Sequence, residues 1–195
     1  MMINLKHWLL SISLFIVATS NSFAATQVEF KTSEGDFIVE LYPEKAPVTV
    51  ANFLQYAKDN FYAKTIFHRV INDFMIQGGG FERDLYEKPT RDPIVNEAAN
   101  GLKNDVGTIA MARTQAPNSA TAQFFINLKD NDFLNNTGSH PSEMGYCVFG
   151  KVVSGMNVVK KIAIIPTANV GRFEDVPTKA ITIKSVKLLE KVTTQ

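Results

Sequence analysis

Gln27 to Tyr42 reads QVEFKTSEGDFIVELY, two short apolar runs with partial two-residue alternation on either side of Ser33-Glu34-Gly35. Alternation of that period marks a strand with one face buried, and the Ser-Glu-Gly step supplies the chemistry of a hairpin turn. Similar runs recur at Thr65 to Val70, Phe74 to Gly78, Thr108 to Ala112, Gln123 to Leu128, Tyr146 to Val153 and Ile181 to Leu188. With Gln27 to Thr32 and Asp36 to Tyr42 they predict eight strands and an all-β fold.

Two segments carry a helical period instead. Val50, Phe53, Leu54 and Ala57 follow Pro47, a residue suited to a helix start because its missing N–H has no partner there anyway. Ser154 is the expected N-cap of a second helix, whose stripe of Val158, Ile162 and Ile165 ends before Pro166. The two helices are expected to cover the ends of a closed antiparallel barrel, since closure removes exposed strand edges; a two-layer sandwich shares the same pattern. Three polar connections, Glu82 to Val106, Asp130 to Gly145 and Pro166 to Lys179, hold most of the proline, asparagine and glycine.

The chain has 195 residues, 45% hydrophobic and 20% charged, with a net charge of +1, which suits one domain with a substantial core. That balance gives no reason to expect nucleic acid or an anionic membrane surface as a partner. The first residues stand apart. Lys6 and His7 precede an apolar run from Trp8 to Ala18, followed by polar residues and by small Ser22 and Ala24. This is the order of a secretory signal peptide, too short to span a bilayer, so residues 1–24 are expected to be removed and 25–195 to form the exported domain. The periplasm is the expected destination, with no stable membrane association after cleavage.

The single cysteine, Cys147, has no disulfide partner within the chain and is expected to be a small buried residue. His7, His68 and His140 do not have metal-ligand spacing, so no metal or other cofactor is expected. No GxSxG or SxxK motif is present, and Gly78-Gly79-Gly80 lacks the lysine of a phosphate loop, reading instead as a tight turn leaving a strand. A secreted hydrolase built on His68 or His140 and a serine therefore has no motif behind it.

Two stretches exceed what strand-making requires. Phe67 to Phe81, FHRVINDFMIQGGGF, places a cation, an aromatic, a thioether and an amide in one hairpin; Gly107 to Asn135 places Gln123 and Phe125 two apart, on one strand face. Together they suggest an apolar pocket with a few directed polar groups. Their motifs FHRV, FMIQGGGF, MARTQAP and AQFFIN, with GYCVFGKVVSGMNVVKKI from Gly145 to Ile162, resemble the signature segments of cyclophilins, and bacterial periplasmic members in particular. The resemblance runs from about Gln27 to Leu189.

It implies an eight-stranded antiparallel barrel capped by two helices, peptidyl-prolyl cis-trans isomerase activity, no cofactor, and proline-containing polypeptides as substrates of a monomeric enzyme. It further implies Arg69 as the catalytic residue, with His68 and Gln77 as polar neighbours. Phe74, Met75, Phe125 and Leu134 would wall the proline pocket. Met111, Ala112, Arg113 and Gln123 would line the groove for the preceding residues. Phe133 stands where many eukaryotic members have tryptophan and Tyr146 where they have histidine, so cyclosporin binding is expected to be weak. The alternative is a holdase that binds proline peptides and for which turnover is secondary.

Overall fold

The alternation at Gln27 to Tyr42 becomes a hairpin of β1 (Thr26–Thr32) and β2 (Asp36–Leu41), in which Val28, Phe30, Phe37, Val39 and Leu41 all turn into one core. The computed structural model describes residues 26–189. The leader and its expected cleavage point lie outside these residues.

The remaining main strands are β3 (Phe67–Ile71), β4 (Met75–Gly78), β5 (Thr108–Met111), β6 (Phe124–Asn127) and β7 (Val148–Ser154). A small pair, β8 (Thr167–Val170) and β9 (Phe173–Pro177), precedes the last strand, β10 (Ile183–Leu188). Eight of them form one antiparallel sheet in the order β10-β1-β2-β7-β5-β6-β4-β3. All eight expected strands are present. The sheet curls until its outer strands meet: Ile66 bridges Thr182, and Lys64 N–H and Phe67 N–H donate to the carbonyls of Ile183 and Ile181. The seam is thus a short bridge ahead of β3 and β10, not a full ladder.

The β8–β9 hairpin is a correction to the expected loop at Pro166 to Lys179. Every residue of β8 is exposed, so it has no buried face to impose an alternation.

Helix α1 (Pro47–Lys58) starts at the expected proline and buries Val50, Phe53, Tyr56 and Ala57; Leu54 is only half-buried, and Tyr56 takes the deeper position. Phe53 enters a cluster of rings, 5.1 Å from Tyr62, 5.3 Å from Phe149 and 6.0 Å from Phe30. Such tilted and edge-on aromatic pairs add roughly 0.5–1.5 kcal/mol each beyond their buried area.

Helix α2 (Met156–Ala163) buries Val159, Ile162 and Ala163. Its N-cap is Gly155, not Ser154, which is still in β7 opposite Ile38. Gly155 has φ 80°, and a Cβ there would lie 2.6 Å from the Asp36 carbonyl oxygen, so only glycine makes this strand-to-helix step.

Candidate active site

Strand register decides which side chains reach the outer surface. Val70, Ile76, Ile126, Ile109 and Gly150 are successive partners across β3, β4, β6, β5 and β7; the four side chains among them are buried in the barrel. A parallel row, Arg69, Gln77, Phe125, Ala110 and Val148, lies on the opposite face. At roughly 4.8 Å per strand, Arg69 and Phe125 are separated by about 10 Å of sheet with Gln77 between them.

Strict alternation would put Arg69 on the same face as Phe67, inside the barrel. The β3 ladder prevents this: Phe67 faces Gly78 and Arg69 faces Gln77, leaving His68 as an extra residue in a bulge. The bulge shifts the phase, so Phe67 and Val70, three apart, both point inward while Arg69 points out.

A second apolar cluster forms on this outer face from Met75, Ala110, Phe125, Leu134 and Val148, flanked by Phe74, Ala112 and Tyr146. It floors a cleft of about 150 Å³ lined by Arg69, Phe74, Met75, Gln77, Ala112, Arg113, Phe125, Leu134 and Tyr146. The volume is well below the roughly 300–1,000 Å³ of most small-molecule sites, and suits a single side chain presented on a longer chain.

Polar groups ring the cleft. Gln77 Nε2 donates to Gln123 Oε1 at 3.0 Å, and Gln123 Nε2 donates to Glu87 at 3.4 Å. Gln123 is therefore one residue removed from the cleft wall, attached through Gln77. Arg113 donates from Nε to the Gly145 carbonyl at 2.9 Å and lies over the Tyr146 ring, 4.6 Å from its centroid. Tyr146 meets Phe125 edge-on at 5.7 Å.

An asparagine network braces the opposite wall. Asn131 Nδ2 donates to the Phe74 carbonyl and to Asn127 Oδ1, and Asn104 Nδ2 donates to the carbonyls of Leu134 and Tyr146. Neither the network nor its link to pocket residues carries a signal of its own in the sequence, because Asn104 and Asn131 lie in polar connections and Asn127 ends a strand, and the carbonyls they hold belong to other segments.

Four expected site residues fall outside the cleft lining. Gln123 is the neighbour just described. Phe133 stands on the rim, 71% exposed, stacked on Phe74 at 5.6 Å. Met111 is 2% exposed and belongs to the barrel core opposite Phe124, because its neighbours Ala110 and Ala112 take the outer face. His68 is also buried, packed edge-on against Phe81 at 4.6 Å, with Nδ1 lacking a partner among the described residues. Burial, then the adjacent Arg69 charge, lowers its pKa to about 4, so it is neutral near pH 7.

Nucleophilic alternatives find no support in this geometry. Burial pushes the Cys147 thiol up to about 11, which keeps it protonated near pH 7. His140 Nδ1 and Ser142 Oγ are 2.8 Å apart, but both are exposed and neither lines the cleft. Among the described residues no group of three or more His, Cys, Asp or Glu side chains is placed to hold a metal ion.

The fold and site together are those of a barrel that carries on its outer face a small apolar cleft with a guanidinium in its lining. Residues 27–188 match the family model of cyclophilin type peptidyl-prolyl cis-trans isomerases. The chain is 57% identical to peptidyl-prolyl cis-trans isomerase B of Escherichia coli over 84% of its own length and 99% of that protein's. It is 53% identical to a peptidyl-prolyl cis-trans isomerase of Acinetobacter baylyi, over 89% and 90% of the two chains. A cyclophilin type isomerase of Cryptosporidium parvum superposes with a TM-score of 0.71 at 26% identity, covering 86% of this chain and 99% of that one. A structure of the same protein in the presence of the dipeptide Ala-Pro gives 0.70 at 27%, covering 85% and 99%. The chain belongs to the cyclophilin type peptidyl-prolyl cis-trans isomerases, and its enzymatic class is prolyl isomerase.

Proposed function

We propose that this protein accelerates rotation about Xaa-Pro bonds in exported polypeptides by stabilising the twisted amide with the Arg69 guanidinium. The observation that carries the reading is the sheet row that presents Arg69, Gln77 and Phe125 together on the outer face, with Arg69 at the edge of an apolar cleft. The solved relative in the presence of Ala-Pro supports an Xaa-Pro substrate.

Peptide-bond rotation has a barrier of about 18–20 kcal/mol because the nitrogen lone pair is delocalised into the carbonyl. At the twisted transition state that delocalisation is lost and the prolyl nitrogen becomes pyramidal and basic. A donor aimed at it binds the transition state more strongly than either planar isomer. A hydrogen bond from a charged group is worth about 1.5–3 kcal/mol, and each ~1.4 kcal/mol is about tenfold in rate, so Arg69 supplies about one to two decades. The remaining acceleration comes from holding the ring against Phe125, Met75 and Leu134 while groups near Gln77 and Arg113 fix the other side of the bond. No step requires a covalent intermediate or a cofactor.

Arg69→Ala is expected to fold normally and to lose about 10- to 100-fold in kcat/KM towards an Xaa-Pro peptide in a protease-free assay. Full activity in the folded variant overturns this mechanism. Suppression of client aggregation by both wild type and Arg69→Ala, with no dependence of refolding rate on Arg69, would assign the protein to the holdase role instead.

The leader motif supports export to the periplasm, and a barrel that buries its own core without a partner supports a monomer. Recovery of the protein from a periplasmic extract with Ala25 as its first residue, sedimenting as a single chain, is the expected result. An uncleaved cytosolic product removes the export half of the reading.

A further inference from the structure

Register and the bulge in β3 put Arg69 at the cleft, but an arginine side chain has several rotatable bonds and is here 39% exposed. What aims its guanidinium comes from the β8–β9 hairpin, a segment with no strand signal in the sequence. Among the described residues the ion-pair partner of Arg69 is Asp175, with Nε and Oδ2 3.6 Å apart.

Asp175 occupies an unusual backbone position. Ala168 pairs with Val176 and Val170 with Phe173, so Glu174 and Asp175 together face the single residue Asn169. In this bulge Asp175 has φ 55°, a left-handed conformation that side chains with a Cβ seldom adopt, and its N–H donates to Asn169 Oδ1 at 3.4 Å. Such conformations persist only where the surroundings enforce them, and they cluster at functional sites. Here the enforcing contacts are the edge of Phe173 on Phe81 at 5.2 Å and the burial of Val176 and Pro177, which fasten β9 to the barrel beside β3.

We infer that Asp175 is a positioning residue for the isomerase reaction, holding Arg69 by its Nε edge so that both terminal nitrogens are directed to the substrate amide. The inference rests on the proposed role of Arg69. An ion pair this exposed contributes little to folding, so its loss acts on the rate and leaves the fold intact. A guanidinium aimed before the amide twists needs no reorientation at the transition state, and the benefit therefore appears in kcat and not in KM.

The test is the measurement of kcat and KM by NMR exchange on an Xaa-Pro peptide for Asp175→Asn, Asp175→Ala and Asp175→Glu, each alone and with Arg69→Ala. Asp175→Asn and Asp175→Ala are expected to lower kcat about three- to tenfold with KM within about twofold and an unchanged melting temperature. Asp175→Glu restores part of the loss, and none of the three changes the residual rate when Arg69 is alanine. An unchanged or raised kcat in Asp175→Ala, with Arg69→Ala impaired, overturns the positioning role alone. A loss of equal size with and without Arg69 also overturns it, because it would locate the effect in the hairpin. A fully active Arg69→Ala protein overturns the reading of Arg69 itself and the role of Asp175 with it.

Discussion

Phe133 stands on the rim of the cleft beside Leu134. It lies exposed and stacked on Phe74, adding apolar surface but no hydrogen-bond donor, whereas an indole at the same place would offer an N–H. Phe133→Trp is therefore expected to tighten cyclosporin binding by about tenfold, the worth of one added hydrogen bond, with kcat on a short peptide within about twofold. Titration calorimetry on both proteins checks this, and equal affinities would remove Phe133 from the account. The motif MARTQAP marks Met111 and Ala112 alike, but a strand turns consecutive residues to opposite faces, so Ala112 lines the cleft and Met111 packs in the barrel. His68 and Arg69 are likewise adjacent in FHRV and are separated in space by a bulge that only the pairing with β4 reveals.

Among the elements, α1 shows how local rules are met by distant residues. Its N-cap, Ala46, has no side chain able to accept a hydrogen bond, yet the first turn is satisfied. Glu97, about fifty residues downstream, accepts from Val48 N–H at 3.1 Å and from Thr49 N–H and Oγ1 at 2.8 Å each. A carboxylate at this end also meets the positive pole of the helix. Glu97→Ala is expected to cost about 1–2 kcal/mol, the scale of a lost N-cap, and to leave isomerase activity unchanged. Urea denaturation beside a peptide assay tests both halves; a stability change below a few tenths of a kcal/mol contradicts the capping role. Pro47 and the i, i+3, i+4 spacing made the helix itself legible, but nothing local identified its cap. The β8–β9 hairpin was illegible for the complementary reason, since a strand pair exposed along β8 leaves no periodicity to read.

For the whole molecule, acid is the informative perturbation. His68 titrates near 4 when folded and near 6.5 when unfolded, so between those values the unfolded chain takes up a proton that the folded one refuses. Stability is thus complete above about pH 6.5 and falls as pH drops towards 4, by up to about 3 kcal/mol, because each tenfold difference in proton affinity between the two states is worth ~1.4 kcal/mol. Glu34 acts in the same sense at the lower end. Hydrogen bonds from Lys179 and Lys161 hold its carboxyl below the usual range, and protonating it releases the β1–β2 turn from α2 and from the segment before β10. Thermal melts at pH 7, 5.5 and 4.5 are expected to show a progressive loss, most of it absent in His68→Gln; a flat profile in wild type would mean that His68 is hydrated in the folded protein. By itself the sequence determined the eight main strands and the two helices, because period-two and period-3.6 burial and the turn residues are local properties of a chain; the residues expected at the pocket came from the resemblance of their motifs to cyclophilins. Only the tertiary structure decided the phase of β3, the inward turn of Met111, the burial of His68 against Phe81, the Glu97 cap, and the meeting of Arg69 with Asp175. Each of these depends on which segments meet and, within the sheet, in what register they pair, and such meetings leave no mark in the local pattern of either segment.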